Sequence, residues 1–398
     1  MTLEPNGLLF LALLVGGFGG LLFALARFRQ VAFKIVAGVL ALALGALFGI
    51  GLVNRHYAYY TSWGSLYAAM TDSGAVSVSS LPARLTPTLS APIDRSGHAL
   101  PALPGQAAHR SPATAATKLT ASRYAGHGTV VKLDLAGAKS GLNRSGYVYL
   151  PPQYLDPKYA DMKFPVAELL HGDPGDPGSW VYGLSVAKVL DSEINHGTIG
   201  PMVVVMPATY TGARGQECID AVVGNADDTY LTLDVPADIT AQFRVAEPGA
   251  GWAVGGLSDG GFCAANLALR HPGTFAAAAV MDGYFAPAAP PRERQRLFGG
   301  DQSRAAANDP TLQVQDTNRR LPRFWIMAGT RNYSDVSAAK AFAQRVRARE
   351  PATVLSVVGG DHTAPAWRTA TPAMLQWMWQ VLTGGHVATG DVQLPVEN

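Results

Sequence analysis

Two long apolar runs open the chain and short ones follow. From Leu8 to Ala26 the sequence reads LLFLALLVGGFGGLLFALA without a charge, and a second run, Val31 to Val53, carries only Lys34 near its start. A helix needs about 20 apolar residues to cross a bilayer core. The two runs therefore predict a transmembrane hairpin within 1–56. Arg27, Arg29 and Lys34 sit at the connection, whereas the N-terminal tail has Glu4 and no Lys or Arg. Basic residues stay cytoplasmic, so the chain beyond the hairpin faces outward. A cleaved signal peptide would place positive charge ahead of one short core, and a retained anchor fits the pattern better. Gly16 and Gly20, and Gly45 and Gly49, form GxxxG pairs that allow close helix approach. Tyr57, Tyr59, Tyr60 and Trp63 follow as an aromatic belt at headgroup level.

The pattern then changes twice. The segment 57–123 joins the aromatic stretch to a Pro/Ala/Ser/Thr-rich linker without sustained period, an irregular tether from 71 onward. Over 124–385, short apolar runs alternate with turn residues and helix-length segments. Strands are predicted at Thr129–Leu135, Gly146–Leu150, Pro165–His171, Met202–Pro207, Trp252–Leu257, Ala277–Asp282, Arg323–Ala328 and Thr353–Val358. The first two read as an antiparallel start and the rest as buried parallel strands linked through helices, the order of an α/β-hydrolase sheet. Residues 386–398 read as a C-terminal tail.

Composition agrees. Only 15% of the 398 residues are charged, against about 25% for a soluble protein, and the apolar excess lies in the first 56. Net charge is +2 with no basic block, which argues against a nucleic-acid partner. Cys218 and Cys263 form no CxxC and leave two readings open: one disulfide in an exported domain, or two buried thiols. No dinucleotide fingerprint, P-loop or metal-ligand cluster stands out, so no cofactor or metal is expected. Oligomeric state leaves no mark.

Candidate chemistry centres on Gly256-Leu257-Ser258-Asp259-Gly260, a GxSxG motif with a strand before it and a helix-like stretch, Phe262 to Arg270, after it. A nucleophile elbow needs that context, because the serine is held strained and the glycines let strand and helix cross closely. Ser258 is the candidate nucleophile. Chain order in this fold then runs Ser, acid, His, which selects His362, after the last strand, as the base; His171, His196 and His271 read as loop, helix-end and turn residues. Asp335, after the seventh strand, is the candidate acid, and Asp282, ending the sixth, the alternative. The backbone N–H of Asp259 is a natural oxyanion donor. The second donor should follow the third strand, at Asp173 or Gly172, since Pro174 has no N–H.

On LLHGDPG, GGLSDGG, AGTRNYSD and GGDHTAPAW, residues 124–385 resemble the putative-esterase family of α/β-hydrolases, which holds the esterase D group and the antigen 85 type of mycolyltransferase. The anchored layout resembles a membrane-bound actinobacterial branch of that family. The resemblance implies a serine ester hydrolase or acyltransferase that acts on membrane-lipid esters, either fatty acyl or mycolyl esters or aminoacyl-phosphatidylglycerol. For a cationic aminoacyl group, Asp176, Glu217, Asp220 and Asp282 are candidate substrate-binding residues together with Asp173 and Asp259. A hydrolase-like domain that only binds the cell envelope is the alternative of another class.

Overall fold

The computed structural model describes residues 16–21, 31–77, 126–211 and 217–395. The predicted first span and its connection lie outside these residues except for the helical stretch 16–21, and the tether lies outside them from 78 to 123. Helix α1 (Val31–Tyr57) covers the second apolar run. A Cβ on Gly17 would lie 3.7 Å from Leu44 Cδ1, so the 16–21 stretch rests against the middle of α1. Side chains on α1 are described without interruption only over 35–49. Among the described residues, no helix is long and apolar enough to cross a membrane.

Among the described residues, ten strands form one sheet: β1 (Val76–Ser77), β2 (Thr129–Ala136), β3 (Asn143–Leu150), β4 (Val166–Leu170), β5 (Val203–Pro207), β6 (Gly249–Leu257), β7 (Phe275–Met281), β8 (Arg323–Gly329), β9 (Ala352–Val358) and β10 (Gly390–Pro395). Their order is β1-β2-β3-β5-β4-β6-β7-β8-β9-β10. Only β2–β3 and β3–β5 pair antiparallel. β2 alternates buried and exposed along its second half, as a strand with one solvated face does. β4 and β5 are buried at every position, as central strands covered on both faces must be.

Helices cover both faces. α3 (Val186–Asn195) and α8 (Ala364–Leu382) pack on one, with Leu190, Ile194, Trp367, Met374 and Met378 in its core. α4 (Val235–Gln242), α5 (Asp259–Arg270), α6 (Pro291–Phe298) and α7 (Tyr333–Arg347) add to the core of the other, with Ile239, Phe262, Leu267, Leu297 and Phe342. The fold is a mostly parallel α/β sheet flanked by helices.

Three expectations need correction. The tail contains β10, which pairs in parallel with β9 over six positions; its residues, GDVQLP, alternate polar and apolar only as far as Val392 and Leu394, too short a run to be recognised as a strand. The tether expected from 71 onward is not irregular throughout, for it contains β1 on the sheet edge, just after α2 (Trp63–Thr71) with its Ser62/Ser65 capping box. The aromatic belt is divided as well. Tyr59 is buried against Trp367, ring centroids 5.8 Å apart, and Tyr57 and Tyr60 pack on the same core. The Arg368 guanidinium, donating to the Ala58 and Tyr59 carbonyls, holds this stretch on the protein. Trp63 alone of the four stays exposed. Of the two cysteine readings, the bond is present: Cys218 and Cys263 form a disulfide.

Candidate active site

Ser258 sits between β6 and α5 at φ 55°, ψ −120°, a strained conformation for a residue with a side chain. Its N–H donates to the Met281 carbonyl at 2.9 Å, which ties the elbow to β7. Crowding explains the glycines. A Cβ on Gly256 would lie 2.0 Å from the Gly260 carbonyl oxygen, and one on Gly260 would lie 2.3 Å from that of Leu170.

His362 Nε2 lies 3.0 Å from Ser258 Oγ, and His362 Nδ1 lies 3.0 Å from Asp335 Oδ2. The structure thus brings Ser258, His362 and Asp335 into one line. Asp335 stands in the first turn of α7, where unpaired helix N–H groups favour a carboxylate, and Asn332 Nδ2 donates to it at 2.6 Å. The acid turn and histidine loop are clamped together, since the Arg331 N–H donates to the Gly360 carbonyl and the Gly359 N–H to Thr330 Oγ1. Burial pushes the His362 imidazole down, but the Asp335 hydrogen bond and the charges of Asp282, Asp335 and Asp361 outweigh it and hold its pKa above the usual value.

Asp282, the alternative acid, makes no hydrogen bond to His362 and lies beneath it. Its Oδ1 accepts from the Gly329 N–H at 2.9 Å and its Oδ2 from Trp367 Nε1 at 2.6 Å. The Trp367 ring meets the imidazole at 81° with centroids 5.3 Å apart. Burial pushes the Asp282 carboxyl up to about 6 against the His362 charge and these donors. With both oxygens engaged and 2% exposure, Asp282 is not placed to touch substrate, contrary to that expectation. Among the described residues, the one cluster of His, Cys, Asp or Glu close enough to hold a metal ion is Asp282, Asp335 and His362, and His362 has both ring nitrogens engaged.

The expected oxyanion donors flank the serine. Asp259 heads α5, where its N–H lacks an intrahelical acceptor. A Cβ on Gly172 would lie 3.2 Å from Ser258 Cβ, so the Gly172–Asp173 turn lies against the nucleophile. Two residues hold that turn, and sequence reasoning missed both roles. The Thr209 N–H donates to His171 Nε2 at 3.1 Å, which leaves Nδ1–H to donate to the Gly172 carbonyl at 2.9 Å. The Tyr210 hydroxyl lies 2.9 Å from Asp173 Oδ1 and accepts from the Gly175 N–H at 3.0 Å. Burial lowers the His171 pKa, in keeping with a neutral ring. The HG pair after the third strand was the available signal for His171.

The remaining carboxylates divide. Asp173 and Asp176 are exposed beside the oxyanion turn, Asp176 also capping the Gly178 N–H at 2.6 Å. Asp220 turns its carboxylate onto the Thr229 N–H and hydroxyl and braces its own loop, which argues against a binding role. Glu217 is buried, accepting from the Ala288 and Ala289 N–H groups. Its Oε1 also lies 3.2 Å from the Tyr284 hydroxyl, which lies 2.7 Å from Asp259 Oδ1. The disulfide ties the Glu217 loop to α5, behind the elbow.

A sheet of this order with Ser258 on its elbow and a histidine and an aspartate in line defines an α/β-hydrolase. The family described as putative esterase matches residues 138–378. An uncharacterized protein of Corynebacterium glutamicum is 29% identical over 265 residues, covering 63% of this chain and 62% of that protein, less than two thirds of its length. In fold, the chain is similar to a ferulic acid esterase (TM-score 0.57, 23% identity, 64% of this chain and 99% of that one). It is likewise similar to an S-formylglutathione hydrolase from Agrobacterium tumefaciens (TM-score 0.54, 18% identity, 64% and 96%). The chain belongs to the putative esterase family.

Proposed function

We propose that this protein is a membrane-anchored serine hydrolase of membrane-lipid esters, with its catalytic domain outside the cytoplasm. The observation that carries the reading is the continuous line from Ser258 Oγ through the imidazole to Asp335. Ser258 Oγ attacks the ester carbonyl carbon while its proton passes to His362 Nε2. Asp335 holds the Nδ1–H tautomer that leaves Nε2 free to accept. The N–H groups of Asp259 and Asp173 receive the oxyanion. Collapse breaks the ester C–O bond, the departing alcohol takes the proton from Nε2, and water resolves the acyl-enzyme by the same steps.

Three observations support the location. On α1, Ile35, Val36, Val39, Leu40 and Leu42 are at least half exposed, an apolar surface that water disfavours and lipid accepts. On α2, the exposed Trp63, Tyr67 and Met70 recur at i, i+4 and i+7 while Leu66 is buried, the layout of an interfacial helix. The disulfide fits an oxidising compartment. The exposed Asp173 and Asp176 favour an acyl group that bears an ammonium, as in aminoacyl-phosphatidylglycerol, over a mycolate.

The test uses the full chain in phospholipid vesicles with lysyl-phosphatidylglycerol beside a long-acyl glycolipid. Lysine release by wild type, reduced at least about 10³-fold in Ser258→Ala, is expected. Undiminished release in the variant overturns the nucleophile, and cleavage of the glycolipid alone overturns the aminoacyl assignment.

A further inference from the structure

A cavity of about 740 Å³ lies between α1, α2 and the adjoining face of β2 and β3, a volume within the range of small-ligand sites. One wall is apolar, with Ala46 and Gly49 from α1 and Leu66 and Met70 from α2. The facing floor is polar. Asp72, the C-terminal cap of α2, accepts hydrogen bonds from Lys132 and Tyr147 and, at 3.3 Å, from Tyr182. Met70 belongs both to this wall and to the exposed face of α2, so the cavity opens where that helix presents its apolar side.

The same cavity reaches the catalytic residues by two routes. Asp176, Pro177 and Gly178 line it, and they continue the turn that begins at Gly172 beside Ser258. Tyr59 lines it too, and its ring packs on Trp367, which packs on His362. A ligand here is separated from the imidazole by those two rings.

Charge on the floor selects among headgroups. Lys132 is already paired with Asp72, and Asp176 adds a second carboxylate, which leaves no surplus cation for a bare phosphate. Ammonium and tyrosine hydroxyl donors alternate with carboxylate acceptors, the pattern that binds hydroxyl groups. We infer that this cavity binds one lipid molecule, its chain along α1 and α2 and its hydroxyl-bearing headgroup on Asp72, Lys132 and Tyr147. The inference rests on the lipid-ester reading and makes this cavity a lipid site beside the catalytic residues, in contact with them through the Asp176–Gly178 turn and through Tyr59 and Trp367.

Its test is photocrosslinking of the full-length Ser258→Ala chain in phosphatidylcholine vesicles, with a phosphatidylglycerol analogue carrying a diazirine on its headgroup glycerol. Crosslinks are expected on peptides containing 66–72 and 132–147. They should fall about tenfold in Ala69→Trp, which fills the cavity, and in Lys132→Ala, which removes a donor without adding bulk. Crosslinks confined to the exposed face of α1, or unchanged in both variants, overturn the inference. Labelling does not depend on ester cleavage, so the two readings fail separately. A labelled cavity with no lipid-ester hydrolysis by wild type refutes the substrate reading alone, and hydrolysis without cavity labelling refutes the cavity alone.

Discussion

Ser258 stands between two pairs of carboxylates, and burial alone would treat Asp282 of the first pair like both members of the second. On the histidine side are Asp335 and Asp282; on the oxyanion side are Asp259 and Glu217. Asp282 and Asp259 are 2% and 7% exposed, yet their surroundings differ. Each oxygen of Asp282 accepts an N–H, and an imidazole lies close by. Asp259 and Glu217 share one Tyr284 hydroxyl, which has a single proton to give, and Asp259 Oδ2 and Glu217 Oε2 have no partner among the described residues. Burial, with the Glu217 and Asp173 charges adding to it, pushes Asp259 up to about 7, and burial raises Glu217 as well. At similar depth, Asp282 has two N–H donors and a nearby imidazole where Asp259 has one shared hydroxyl, and the Asp282 carboxyl is raised less, to about 6. The division suits the proposed chemistry, since negative charge near the imidazole stabilises the imidazolium, whereas negative charge beside the oxyanion would oppose it.

Three substitutions would break or sharpen this contrast. The largest effect belongs to Asp335→Asn, which loses the tautomer control of His362 and should lower kcat by about 10² to 10⁴ at pH 8. Asp282→Asn comes next. The Asp282 charge helps to hold the His362 pKa up, and the base works only when neutral, so its loss moves the acidic limb of the pH–rate profile to lower pH. An amide also meets one of the two N–H donors with its own NH₂, which costs about 1–3 kcal/mol of stability. A kcat as low as that of Asp335→Asn would make Asp282 the working acid, and an unmoved limb would show that Asp282 carries no charge when His362 titrates.

The smallest effect is on folding and comes from Asp259→Asn. A carboxyl whose pKa rises on folding from 3.8 to about 7 binds more protons folded than unfolded between those values. Its contribution to stability is full below about pH 4 and is lost as pH rises to 7. The variant removes that dependence, so its Tm relative to wild type should be higher at pH 8 than at pH 5. An equal Tm difference at both pH values would show that Asp259 is ionised throughout.

Much of this was legible in the sequence for local reasons. Eight strands announced themselves as apolar runs, and Ser258, His362 and Asp335 lie in short motifs whose chain order matches the fold. The edge strands did not, because β1 has two residues and β10 is largely exposed. Chain order put Asp335 ahead of Asp282 but left Asp282 as an alternative, because its engagement depends on Trp367, 85 residues away. Tyr57, Tyr59 and Tyr60 fit the membrane interface by position alone, and only the distant Trp367 and Arg368 draw them onto the protein. Glu217 was legible as an acid near the site, but not as one sharing a hydroxyl with Asp259.

Covalent trapping tests the role of Ser258 most directly. The full-length protein is treated with an alkyl fluorophosphonate, which forms a serine O–P bond as fluoride leaves, and the modified peptide is located by mass spectrometry. A single adduct on Ser258 is predicted, lost in Ser258→Ala and formed far more slowly in His362→Ala. An adduct on another residue, or labelling at the wild-type rate without His362, would contradict it.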